Sequence, residues 1–478
     1  MTELSFVKES VAAKGARTEA LAREIWGYAE LAYQETKSAA ALCAALEEEG
    51  FTVQKGIADV PTAFVATFRV GSGKPVMGFL GEYDALDGLS QQASCTEKCP
   101  VTPDAPGHGC GHNLLGAGSF AAAATVKDYL VREKKDGTVL YFGCPAEEGA
   151  GSKQFIARAG FFDNVDFVYT WHPATVNEVP SKGEVAIMGA NFIFDGVAAH
   201  AGASPHLGRS ALDAAELMNV GVNYLREHML PTARVHYAYS DAGGTAPNVV
   251  PDHAVIKYEV RAPKVAQMQE LFARVVNIAK GAALMTETQM RYEVTMAFSD
   301  YLPNKTLAAV AQRAFDELGA PAWTEEDFDQ ASRFLRTYPR DTLKSIREEL
   351  TEYFDEVDEA LKKPLDTQVH PFNASEKSYV SGSTDVGDVG YAAPTLSINV
   401  ATACLGNVGH SWQNTAFSGS AIGIKGMERA AEVMALAALY TMASPEVMAA
   451  AKAEVLRKNG GRYVCPLPDY CQPPVGRY

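Results

Sequence analysis

Residues Ala105 to Phe120 read APGHGCGHNLLGAGSF, two histidines and a cysteine within five positions among glycines. Residues two apart on a loop can aim at one point, and the Cys110 thiolate and His112 imidazole both suit zinc-class metals. Taken alone, Cys-x-His is more often a buried thiol beside a turn histidine. A dinucleotide loop fits less well, because histidine stands where a third glycine is needed and Asp104 and Pro106 precede the run instead of an apolar strand. A redox Cys-x-x-Cys is missing too, and Cys95 to Cys99 (CTEKC) has the wrong spacing. Further along, PAEEG sets Glu147 beside Glu148 after an apolar run, TWHP gives His172 after the next, and GNVGHSW gives His410 in a glycine-flanked loop. Adjacent glutamates are usually surface charge, and a single histidine is usually just hydrogen-bonded. At the end of a strand, however, one carboxylate can bind metal while its neighbour takes a proton from the activated water. Together Cys110, His112, Glu148, His172 and His410 offer five ligands from four loops, enough for two metals sharing a bridging group.

Positioning them requires a sheet. The first fifty or so residues read as helix, closed by Gly50. Short apolar runs follow (TAFVATFRV, PVMGFLGEYDAL, TVLYFGCPAEEG, VDFVYTWHP), alternating with helical segments such as SFAAAATVKDYLVREKK and KQFIARAG. That alternation predicts an α/β sheet with helices on its faces, whose strand carboxyl ends bind ligand. From about Gly183 the pattern changes to strand-helix-strand-strand-helix-strand, a compact α+β insert over 185–298 between two parts of a larger domain, 1–184 and 299–478. The acidic stretch around 323–363 reads as a helical surface elaboration with a mostly solvated charged face. Strand character returns at PTLSINVAT, and a closing helix starts near Ser418.

Bulk properties narrow the class. A chain of 478 residues implies at least two domains. Its formal net charge of -16 argues against nucleic acid or an anionic membrane as partner. The N-terminus has no basic segment leading into an apolar run, and the late apolar stretch 433–443 is too short to span a bilayer. With eight cysteines and no signal, reduced thiols in the cytoplasm are expected.

The ordered set GHGCGHNLLGAG, PAEEG, WHP, GVAAHAGASPHLGRSALDA and GHSWQ resembles the M20 metallopeptidase/amidohydrolase family, in the branch with a Cys-Gly-His metal loop. LGEYDALDGLSQQ, GAALMTET, YLPN and STDVGDV sharpen the likeness to the subgroup that acts on aminobenzoyl-glutamate. The resemblance covers nearly the whole chain. It implies a di-metal α/β catalytic domain, with a zinc-exopeptidase-like mixed sheet and flanking helices, interrupted by a ferredoxin-like lid and dimerisation domain. It implies two divalent ions, zinc or manganese, with Cys110 bridging and His112, Glu148, His172 and His410 completing the shells. Glu147 becomes the general base and then the general acid, and Asp84 orients a metal ligand. Glu82 stands where many relatives carry a histidine ligand, His108 is not counted among the ligands, and Asn113 replaces the usual aspartate. In the lid, His200 matches a histidine that reaches the partner subunit's site to stabilise an oxyanion. Asn248 and Arg261 match positions that grip a substrate carboxylate, Arg261 through its planar fork. His206, Ser383 and Thr384 are further substrate contacts.

The expected reaction is hydrolysis of an N-acyl amino acid, in a homodimer or a heterodimer with a sister subunit formed through the lid. Rival readings are a broader acyl-amino-acid amidohydrolase or dipeptidase, and a non-catalytic regulatory subunit.

Overall fold

The computed structural model describes residues 2–476. Twelve strands are present: β1 (Thr52–Lys55), β2 (Phe64–Val70), β3 (Val76–Gly81), β4 (Gly137–Gly143), β5 (Phe167–Ala174), β6 (Gly183–Glu184), β7 (Ala186–Asp195), β8 (Arg234–Asp241), β9 (His253–Ala262), β10 (Gln289–Phe298), β11 (Tyr379–Val380) and β12 (Thr395–Ala401). Six form a mixed sheet in the order β1-β2-β4-β3-β5-β12. The first two pairings are antiparallel, while β4, β3, β5 and β12 run parallel. Strands β2, β3, β4 and β5 carry the four apolar runs anticipated from sequence, and β12 carries PTLSINVAT.

Alternate side chains point to opposite faces of this sheet. Phe64, Ala66, Phe79, Tyr141 and Trp171 pack under the helices Glu3–Tyr28, His112–Glu133 and Ala421–Met442. Val65, Leu80, Phe142 and Val168 face Ile156 and Val389, from the short helices Lys153–Arg158 and Val386–Ala392. With both faces covered, the parallel strands are apolar over most of their length, with polar residues towards their carboxyl ends.

The second sheet is antiparallel, in the order β10-β7-β9-β8. The helices Ala211–Leu225 and Val265–Thr286 bury its inner face around Phe192, Ile256, Met218 and Val275. This is the strand-helix-strand-strand-helix-strand order expected for the insert.

Two expectations need adjusting. The closing helix is three: Trp412–Ser418, then Ala421–Met442, then Pro445–Asn459. A turn at Gly419 separates the first two, and the Ser420 hydroxyl starts the second by accepting from the Gly423 N–H (3.2 Å). The 323–363 segment forms the helices Glu325–Leu335, Arg340–Leu350 and Val357–Ala360 and is more than a solvated face. Ile346 and Leu350 are buried with Val176 and Leu405, so the segment clamps the end of the large sheet. Among the described residues no single helix is long and apolar enough to cross a membrane, and all eight cysteines are free.

Candidate active site

The carboxyl ends of β3, β4, β5 and β12 open into one cavity of about 940 Å³, lined by Glu82, Cys110, Glu147, Glu148, His172 and His410 among others. Each side chain arrives by a local device. Gly111, at φ +83°, turns the loop so that the helix beginning at His112 starts directly behind Cys110. Gly107 packs so tightly that an added Cβ would lie 2.1 Å from the Leu89 carbonyl oxygen. Ala146 (φ +64°), just before the glutamate pair, and His410 (φ +52°) both hold left-handed backbone, uncommon for residues with a Cβ. The His410 N–H donates to the Gly109 carbonyl (3.0 Å), joining the two ligand-bearing loops.

The donor atoms converge. Cys110 Sγ lies 3.4 Å from His172 Nε2, and His410 Nε2 lies 3.2 Å from Glu148 Oε1. Cys110, His112 and His172 form one group with ligand atoms all within 4.8 Å; Cys110, Glu148 and His410 form a second, and Cys110 belongs to both. Groups behind them hold the ligands. Asp84 accepts from His112 Nδ1 (2.9 Å) and from the Glu148 N–H (2.8 Å), and His172 Nδ1 sits 2.8 Å from the Pro173 carbonyl. Both rings therefore use Nδ1 as donor and turn Nε2 into the cluster, where His112 Nε2 lies 3.3 Å from Glu82 Oε2 and His172 Nε2 faces Cys110, the arrangement typical of metal-binding histidines. Buried His112 Nε2 has no hydrogen-bond partner and lies 3.9 Å from Glu148 Oε1. Orphaned buried acceptors are costly unless something else satisfies them. A soft thiolate, three imidazoles and a carboxylate arranged this way fit a pair of divalent cations.

Electrostatics separate the adjacent glutamates. Burial raises Glu147, and the nearby Glu82 and Glu148 carboxylates push it further, well above the usual range. Burial also opposes ionisation of Glu148, but the hydrogen bond from His410 and the charge of His112 outweigh it and hold the group at about 2. His108 is no part of the cluster. Its Nε2 faces the Ile25 carbonyl (3.0 Å), and burial drives it down to about 3, so it stays neutral. Asn113 also points away, donating to the Ala22 and Ser418 carbonyls (3.2 and 3.0 Å) and tying its helix to its neighbours.

Ser383 and Thr384 line the cavity, and Arg261 Nη1 donates to Ser383 Oγ (3.2 Å). His200, His206 and Asn248 lie exposed on the small-sheet region and do not line the cavity of their own chain. His200 Nδ1 accepts from the Gly202 and Ala203 N–H groups (3.1 and 3.0 Å), which fixes its ring.

Four residues escaped the sequence reading. Lys153 is fully buried, with Nζ 2.7 Å from Glu82 Oε1 and 2.6 Å from Asp385 Oδ1, so Glu82 is held by a cation. Asp385 anchors the Ser383 loop by accepting also from the Ser152 and Lys153 N–H groups (2.9 and 3.0 Å). Glu35 accepts from the Ala146 N–H (2.8 Å) and fixes the turn that presents Glu147. Glu178 lines the cavity beyond His172. Nothing in their spacing marked the first and third; Asp385 sits within the motif STDVGDV.

Comparison with known proteins gives the family. Residues 183–286 match the peptidase dimerisation domain family. One of the subunits of the p-aminobenzoyl-glutamate hydrolase of Escherichia coli (strain K12) is 39% identical over 98% of this chain and 98% of its own. A Xaa-Arg dipeptidase of Mus musculus is 33% identical over 65% of this chain and 70% of its own. The fold is shared with a Bacillus subtilis dinuclear metal-binding peptidase from the M20 family, at a TM-score of 0.57 and 18% identity, covering 90% of this chain and 99% of that one. The chain belongs to the M20 family and is a hydrolase of amide bonds.

Proposed function

We propose that this chain cleaves p-aminobenzoyl-glutamate to p-aminobenzoate and glutamate, using a dinuclear centre held by Cys110, His112, Glu148, His172 and His410. Two three-ligand groups that share Cys110 carry the metal reading, and the identity along the full length of the Escherichia coli relative carries the substrate. When bound, two zinc or manganese ions lower the pKa of a water toward ~7 and polarise the scissile carbonyl. Softness of the ligands favours zinc, while the family resemblance leaves manganese open.

The chain's own groups do the rest. Glu147, in the cavity wall beside Glu148, takes the proton of the attacking water and hands it to the departing amine nitrogen. Asp84 keeps His112 and Glu148 in register. Arg261, Ser383 and Thr384 hold the glutamate carboxylates, and Asn248 with His206 as an added contact joins them from the small-sheet region of a second chain. His200, exposed on the small-sheet region, donates to the oxyanion in the site of a second copy or of a sister subunit. The site is then complete only in a dimer.

Turnover of p-aminobenzoyl-glutamate, measured against a panel of N-acyl amino acids and dipeptides with zinc and manganese each supplied, tests the assignment. The expected result is a kcat/KM for the aminobenzoyl compound well above the rest. A dipeptide or an indole-acetyl conjugate as the preferred substrate overturns it.

A further inference from the structure

The cavity has two unlike ends. At one, Ser383 and Thr384 present hydroxyls beside the Arg261 guanidinium, a setting for carboxylates. At the other stands Glu178, contributed by the segment that follows β5. Glu178 and Asn399 exchange backbone hydrogen bonds in both directions (3.0 and 2.9 Å), and Asn399 lies in register with His172. His172, Asn399 and Glu178 thus form a row across three adjacent strand segments, all lining the cavity. Directly opposed strand positions share a face. Two strand spacings put Glu178 about 10 Å from His172, backbone to backbone. Six residues of chain, from Glu178 to Glu184, lead towards the Ser383 end and span at most about 20 Å.

Glu178 Oε1 accepts from Asn399 Nδ2 (3.0 Å) and the Tyr353 hydroxyl (3.3 Å). Its Oε2 has no hydrogen-bond or ion-pair partner among the described residues. The walls here are aromatic: Tyr353 meets the His370 ring edge to face at 5.1 Å, and both line the cavity. Tyr353 comes from the 323–363 segment, which gives that elaboration a place in the site. Flat walls ending in a carboxylate suit a planar ring that carries a hydrogen-bond donor at its far edge.

We propose that Glu178, with Tyr353 and His370, forms the subsite for the acyl half of the substrate, and that Glu178 Oε2 accepts from an amino group on that acyl ring. This rests on the hydrolase reading above and assigns the orientation: acyl amine at Glu178, amino-acid carboxylates at Arg261 and Ser383. Glu178 here determines specificity and takes no part in bond cleavage.

The test compares p-aminobenzoyl-glutamate with benzoyl-glutamate, identical but for the amine, on the wild type, Glu178→Gln and Glu178→Ala. A hydrogen bond to a charged acceptor predicts a wild-type preference in kcat/KM of roughly 10-fold to 100-fold for the amino compound. Glu178→Gln keeps the side-chain volume but offers an amide N–H₂ where Oε2 stood, so the preference collapses toward one; Glu178→Ala does the same. A preference that survives in both variants, or equal losses on both substrates, assigns Glu178 a purely structural role and overturns the subsite. Should one variant fail to fold, the other carries the comparison, and absence of any wild-type preference is itself contradictory. Wild type that cleaves neither compound contradicts the proposed function, an outcome distinct from cleaving both equally.

Discussion

At the carboxyl edge of the six-stranded sheet, the polar groups that meet are held from behind: Asp84 grips His112 and Glu148, Lys153 grips Glu82 and Asp385, and Glu35 fixes the turn before Glu147. On the four-stranded sheet and its loops, His200, His206 and Asn248 stand exposed with no access to that cavity. One region is organised before substrate arrives. The other offers exposed groups that reach a cavity only under the proposed function, in which a second chain brings its own cavity to them. On that proposal, preorganisation places the bond-breaking machinery in the large sheet and assembly supplies the remainder.

Three substitutions probe this contrast, the largest effect first. Glu147→Gln removes the proton carrier and should lower kcat by about 10²–10⁴ in a steady-state assay. Near-normal turnover dissolves the division of labour between Glu147 and Glu148. His200→Ala should lower kcat by about 10²–10³ while leaving the fold intact. Mixing His200→Ala chains with Glu147→Gln chains then sharpens the contrast, because a mixed dimer pairs an intact Glu147 with the partner's intact His200. Recovered activity is expected from the mixture, and none is expected if each lid serves its own site. Lys153→Met leaves Glu82 and Asp385 as buried charges without their cation. It should cost about 3–5 kcal/mol of stability, read as a lowered thermal midpoint, whereas a comparable change at exposed His206 should be silent.

Much of this architecture was legible in the sequence because its signals are local. Apolar runs followed by GEYDAL, PAEEG and TWHP marked strands whose carboxyl ends carry chemistry, and the change of pattern near Gly183 marked the inserted sheet. What escaped was set by tertiary packing. Lys153 read only as the start of a helical segment, KQFIARAG; the fold brings it, fully buried, between Glu82 and Asp385. Glu178 lies in a segment with no motif, and its place depends on pairing with Asn399, far along the chain. The acidic 323–363 segment read as solvated because its charges do face water, while the few residues that matter, Ile346, Leu350 and Tyr353, point inward.

Cys110 belongs to both ligand groups, and the metal content of the protein tests the proposed dinuclear centre most directly. Reconstitution with zinc or manganese followed by elemental analysis should find two ions per chain in the wild type and in Glu147→Gln, falling in Cys110→Ala, whose thiolate serves both groups. A fully active wild type with no bound metal, or a Cys110→Ala chain that keeps both ions as tightly as the wild type, would contradict it.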